Sequence, residues 1–344
     1  MFRHQKPFPF LNKNATVEFE IENDLLTLQG TPQESVGCVL RGSIILTVHN
    51  PLKIKSIWAK FIGKVRLNEN DNITCREHTI VQRKLTFLQP DQGGCTLSSN
   101  RYRYPFELAL DGSTPESTDL PYGSIEYRMI AVVERPGLHF DLKARRSIVI
   151  QRNSSLNYDD ALMYSSEALG TWEDRFRYHI SVSEPTLVIN QNIPITLDLT
   201  SLTSDLDILK VRFYLIETTN YSGPEGSWDF RTQEYSLKSA RFDEFGDRAV
   251  GADNTRRLLP DLTLPPDVYP TLNTKYIQVK HELSILFHIN DKRQGEKVIL
   301  QKDLPVLVRS SEQLSLDISP PSYQSIPSYM NLPPPSYTRA PISA

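Results

Sequence analysis

Over most of its length the chain alternates apolar and polar residues with a period of two, a pattern that suits extended strands with one packed and one wet face. In Lys55 to Leu67, the residues Ile57, Ala59, Phe61, Val65 and Leu67 fall on one face, with Lys60, Lys64 and Arg66 on the other. The same alternation runs through Thr16 to Ile21, Cys38 to Val48, Ser124 to Val133, Phe176 to Val182, Leu209 to Leu215 and Tyr276 to Ile289. Turn-rich pieces such as Gln89 to Asn100 and Ala109 to Tyr122 separate these runs. Amphipathic helical spacing is nearly absent, so the expected fold class is all-β, built from immunoglobulin-type β-sandwiches.

At 344 residues the chain is long for one sandwich, and about 150 residues per domain suggests roughly two. The strand period breaks between Arg152 and Arg175, where the composition turns polar and acidic. Residues 1–151 are expected to form an N-terminal sandwich, 152–175 an interdomain linker or hinge, and 176–310 a C-terminal sandwich closed by Val298 to Val308. From 311 to 344 the chain is rich in Ser, Pro and Tyr. It carries too little apolar surface to offset chain ordering and reads as a disordered tail.

A formal charge of −3 and a pI near 6.2 lack the basic footprint of a nucleic-acid binder, so no nucleic-acid partner is expected. The start, MFRHQKPFPFLNKN, has no apolar run of signal-peptide length, and no stretch long enough to span a bilayer follows; the chain reads as soluble and intracellular. Three cysteines, Cys38, Cys75 and Cys95, are an odd count at irregular spacing and fit reduced thiols. Cys75 and His78 could share a metal with Cys95, but no fourth ligand is evident, so no metal is assigned.

No phosphate-cradling glycine loop, nucleophile elbow, HExxH or CxxC motif occurs, so neither a cofactor nor a catalytic residue is assigned. His281 shares a strand face with Val279, Leu283 and Ile285 and reads as a core or rim histidine with one hydrogen bond, since no local nucleophile or carboxylate pairs with it. The chain is not expected to be an enzyme.

The tail repeats a short motif. Pro320-Pro321-Ser322-Tyr323 and Pro334-Pro335-Ser336-Tyr337 both read PPxY, the ligand pattern of WW domains. Consecutive prolines hold φ near −65° and pre-set a polyproline II helix, so less entropy is lost on docking. The prolines suit an aromatic-lined groove, and the helix aims the tyrosine into the neighbouring pocket. Tyr323 and Tyr337 are 14 residues apart, a span of roughly 20 Å as coil and about 43 Å as polyproline II. Two WW domains of one partner could therefore be engaged together, raising avidity by up to about 10²- to 10⁴-fold. Phosphorylation of either tyrosine should block docking.

Several runs carry a family resemblance. Tyr104-Pro105-Phe106-Glu107-Leu108, Asp119-Leu120-Pro121, Ile125-Glu126-Tyr127-Arg128 and Val132-Val133-Glu134-Arg135-Pro136 resemble, in order and spacing, the N-domain pattern of the α-arrestins, the arrestin-related trafficking adaptors. Pro265-Pro266, Ile277 to Ile285 and Leu304-Pro305-Val306 resemble the close of their C-domain. The resemblance covers about residues 15 to 310. It implies two seven-stranded arrestin-like sandwiches and a scaffold without catalytic residues. No local pattern identifies the phosphate-sensing polar core of the visual and β-arrestins.

In the α-arrestins PPxY motifs recruit WW-domain HECT-type ubiquitin ligases, while the body recognises cytosolic segments of membrane transporters or receptors. The expected function is therefore an adaptor that promotes cargo ubiquitination, endocytosis and sorting from the cytoplasm, recruited to plasma membrane and endosomes. Ubiquitin would be a partner too, since such adaptors are often modified themselves. The alternatives are an arrestin-fold sorting or coat subunit, or a signalling scaffold, as in ambient-pH sensing, that does not act through a ligase. Basic pairs at Arg145-Arg146, Arg256-Arg257 and Lys53 with Lys55 offer peripheral membrane contact with anionic lipid, or simply solvated strand edges.

Overall fold

The structure, a computed structural model, describes residues 14–69, 74–89, 94–153, 167–184, 186–222, 228–241, 248–249 and 255–311. Its N-terminal half packs two sheets. One has the order β1 (Ala15–Ile21), β3 (Cys38–Val48), β8 (Asn100–Leu110). The other has the order β2 (Leu25–Gln29), β11 (Leu142–Asn153), β10 (Gly123–Glu134), β5 (Ser56–Glu69), β6 (Thr74–Leu88), with β9 (Thr118–Leu120) added to β10. A ribbon of β4 (Leu52–Ile54) and β7 (Cys95–Leu97) closes one end.

The C-terminal half repeats the plan. One sheet runs β12 (Glu167–Trp172), β13 (Phe176–Val182), β15 (Ile195–Ser201), β19 (Thr255–Leu258), β18 (Arg248–Ala249). The facing sheet runs β14 (Thr186–Val188), β22 (Glu296–Arg309), β21 (Ile277–Asp291), β16 (Leu206–Ser222), β17 (Trp228–Arg241), with β20 (Leu272–Asn273) beside β21. In each half the last long strand is flanked in parallel by a short early one, β2 on β11 and β14 on β22. The remaining pairings are antiparallel.

The alternation dictates the cores. Ile57, Ala59, Phe61, Val65 and Leu67 are all buried on β5, as their shared face requires. Phe61 stacks on Tyr127 with ring centroids 5.8 Å apart, and the Tyr127 hydroxyl donates to the Pro115 carbonyl at 2.7 Å. That ring lies where a Cβ on Gly63 would stand, 2.4 Å from Tyr127 Cε1, so β5 needs a glycine opposite the tyrosine. Phe176, Phe213 and Phe287 anchor the second core. Burying each such side chain stabilises by about 2–3 kcal/mol.

The stretch 152–175, expected as a strandless linker, carries strand structure at both ends: β11 runs through Asn153, and Glu167–Trp172 pairs along its length with β13. β12 escaped the pattern because it is an edge strand whose alternating residues are only exposed or half-buried. The count also differs from seven strands per sandwich. β1 to β11 and β12 to β22 include short strips such as β4, β9, β14 and β20 that extend longer neighbours.

Candidate functional site

Pro320, Pro321, Tyr323, Pro334, Pro335 and Tyr337 lie outside the described residues. The described body brings together the junction between the two sandwiches. Gly123, at the start of β10 and just after the Leu120-Pro121 turn, packs under Tyr221 and Ile277 so closely that a Cβ would stand 2.9 Å and 3.0 Å from them. Tyr122 meets Tyr221 edge-to-face at 6.2 Å, and His78 of β6 lies 6.3 Å from Tyr276. Leu272, Ile277 and Val279 join the N-terminal core cluster. Burial pushes the Tyr221 hydroxyl up to about 12.

Beside this apolar contact sits a charged one. Arg152, the next-to-last residue of β11, donates from Nη1 to the Gly30 carbonyl at 3.0 Å and from Nη2 to those of Gly112 and Thr114 at 2.7 Å and 3.0 Å. It thus ties the end of β2 to the loop before β9. That loop carries Glu116, whose carboxyl is pushed up to about 7 by burial, against the opposing pull of Arg152 and of Arg309 at the end of β22. One carboxyl therefore answers to an arginine from each sandwich.

The C-terminal side of the junction is held from within. Glu217 on β16 lies opposite His281 on β21, and both are buried. His281 Nε2 is 3.3 Å from Glu217 Oε2, which also accepts the Tyr269 backbone N–H at 2.9 Å, while His281 Nδ1 is 3.0 Å from Thr271 Oγ1. The pair thereby pins residues 269–271, and Tyr269 reaches the junction. His281 is a core residue as its face implied, but its ring has two polar partners rather than the one expected. Its carboxylate partner is 64 positions away and invisible to local spacing.

An open recess of about 430 Å³ lies at the junction, lined among others by Arg66, Asn68, Asp119, Ser124 and Tyr269. It is polar and presents hydrogen-bonding groups from both sandwiches. Arg66 is shared between Glu77 and Glu126. Lys64 and Arg66 hold the Glu77 carboxyl at about 2. Among the described residues no cluster of metal-ligand side chains occurs, and no helix is long and apolar enough to cross a membrane.

The basic pairs of the sequence are dispersed. Arg146 bonds Asp24 at 2.6 Å and Arg257 bonds Asp198 at 2.6 Å and 2.7 Å. Lys53 and Lys55 stay exposed on one side of β4 and its exit.

Comparison with known proteins matches this architecture half by half. The family model for the arrestin (or S-antigen) N-terminal domain matches residues 33–157, and that for the arrestin (or S-antigen) C-terminal domain matches residues 172–313. An arrestin domain-containing protein of Schizosaccharomyces pombe is 26% identical over 93% of this chain and 57% of its own length. The HECT-type ubiquitin ligase-interacting protein creD of Emericella nidulans is 24% identical over 87% of this chain and 53% of its own. Protein ROD1 of Saccharomyces cerevisiae is 23% identical over 60% of this chain and 32% of its own. The chain thus spans about half the length of the first two of these relatives and about a third of ROD1. With both domain models matched in order over a two-sandwich body, the chain belongs to the arrestin family, in its α-arrestin branch.

Proposed function

We propose that the chain is an adaptor that recruits a WW-domain HECT-type ubiquitin ligase to membrane-protein cargo. The observation that carries the reading is the pair of PPxY motifs, Pro320-Pro321-Ser322-Tyr323 and Pro334-Pro335-Ser336-Tyr337, appended to an arrestin body. A relative named for its interaction with HECT-type ligases supports it. Division of labour follows from the chemistry. The tail supplies prolines and tyrosines to aromatic grooves, and the body supplies strand edges and the polar junction to cytosolic segments of transporters or receptors. No lysine is singled out as a ubiquitin acceptor.

Cells carrying the wild-type chain or Tyr323→Ala/Tyr337→Ala provide the test, read by mass spectrometry of ubiquitin remnants on membrane proteins. A subset of membrane proteins is expected to lose ubiquitin several-fold in the double variant. Unchanged remnants on every membrane protein would contradict ligase recruitment through the tail.

A further inference from the structure

Leu138 and Phe140 stand two residues apart in the loop 135–141 between β10 and β11, at 103% and 92% exposure. A single exposed apolar residue such as Leu169 or Leu259 is ordinary, but Leu138 and Phe140 are two large ones, almost fully exposed, in one short loop. The loop is organised to present them. Val133 and Leu142 are the last paired residues of the hairpin, and the Arg135 backbone N–H donates to Asp141 Oδ1 at 3.3 Å across the neck. Gly137, at φ +72°, turns the chain at an apex where a Cβ would meet nothing within 4 Å.

The surroundings are basic. Lys143 and Arg145 are exposed on the strand that leaves the loop. Lys53 and Lys55 are exposed on the adjoining passage, which the Lys55 backbone N–H ties to the Glu134 carbonyl at 2.8 Å. With Arg135 these make five cations against two carboxylates, and both carboxylates are engaged. Glu134 accepts from Ser56 Oγ at 2.8 Å and Trp58 Nε1 at 2.9 Å, and Asp141 closes the neck. A projecting apolar tip with cations around its base matches the layered chemistry of an anionic bilayer, with acyl chains for Leu138 and Phe140 and phosphate-bearing headgroups for the lysines.

We propose that the loop 135–141 is a membrane-contact element by which the N-terminal sandwich docks on anionic lipid. The contact is independent of the tail and holds whether or not the tail binds a ligase. It would orient the body against the bilayer from which cargo segments emerge.

The test uses the full chain and vesicles of phosphatidylcholine alone or with roughly a third phosphatidylserine. Wild type is expected to partition onto the anionic vesicles about tenfold better than onto the neutral ones, and less as salt is raised. Leu138→Ser/Phe140→Ser should weaken partition about tenfold or more with an unchanged melting curve, since both side chains are exposed. Lys55→Glu/Lys143→Glu should remove most of the preference for anionic lipid. In Phe140→Trp the added indole emission should shift to the blue with anionic vesicles. Absence of wild-type partition, a serine variant that partitions like wild type, or no blue shift would overturn the proposal; the first would leave the apolar tip to a protein partner.

Discussion

Two arginines bracket the passage between the sandwiches, and they are held in opposite ways. Arg152, closing the N-terminal sandwich, bonds three backbone carbonyls and has one half-buried carboxyl, that of Glu116, near it; burial holds its guanidinium below the usual range. Arg175, in the turn between β12 and β13 of the C-terminal sandwich, bonds both oxygens of Asp291 at 2.7 Å and 2.8 Å and Asp205 at 3.0 Å, with the Trp172 ring 5.8 Å away. Arg293 also pairs with Asp205. Arg175 and Asp291 are 7% and 1% exposed, and their mutual bonds hold the Asp291 carboxyl well below the usual carboxylate range. Charge is matched by carboxylates at Arg175 and left partly unmatched at Arg152, beside the junction. The first is a lock; the second is a contact that a change of charge can loosen.

The largest expected effect comes from opening the lock. Asp291→Ala removes the bidentate partner of a buried guanidinium, leaving it only Asp205 and the more exposed Glu173, and should lower the melting temperature by about 5–10 °C. Arg175→Met combined with Asp291→Ala should recover much of that loss, because the buried guanidinium is gone and Asp205 keeps Arg293. If the double variant melts no higher than Asp291→Ala, the site is not an ion-pair lock.

Next is the N-terminal core. Gly63→Ala drives a methyl into the Tyr127 ring, which its stack on Phe61 and its bond to Pro115 hold in place, and should destabilise by about 1–3 kcal/mol. Denaturant unfolding measures this, and a neutral result would mean that the ring is free to move.

The junction contact gives a smaller, pH-dependent effect. The Glu116 carboxyl titrates at about 7 in the folded chain against 4.5 for its ordinary value. The folded state therefore binds the extra proton, and stability falls as pH rises from about 4.5 to 7. Glu116→Gln should flatten that slope, by on the order of 1–3 kcal/mol across the window. Equal slopes for both proteins would remove Glu116 as the titrating group. Arg257→Ala, at the exposed pair with Asp198, should change melting least of all, within a degree or two.

The same contrast shows what the sequence could reveal. Alternation placed the buried face of β5 and the burial of His281 beside Val279, Leu283 and Ile285, since side-chain period two is local. Partners set by strand pairing were not local. Glu217 reaches His281 across 64 positions and Arg175 reaches Asp291 across 116. Gly63 stood in plain view within a strand, but the tyrosine it accommodates lies 64 positions on. β12 was hidden because its exposure pattern never reaches full burial. The paired PPxY motifs are short linear signals read from the sequence alone, and they lie outside the described residues.

The most direct measurement is a titration of the full chain with the tandem WW domains of a HECT ligase, alongside Tyr323→Ala, Tyr337→Ala and the double variant. The account predicts that each single change weakens binding, by about 10²-fold through lost bivalency, and that the double change abolishes it. A double variant that binds as tightly as wild type, or a wild type that does not bind, would contradict the adaptor reading.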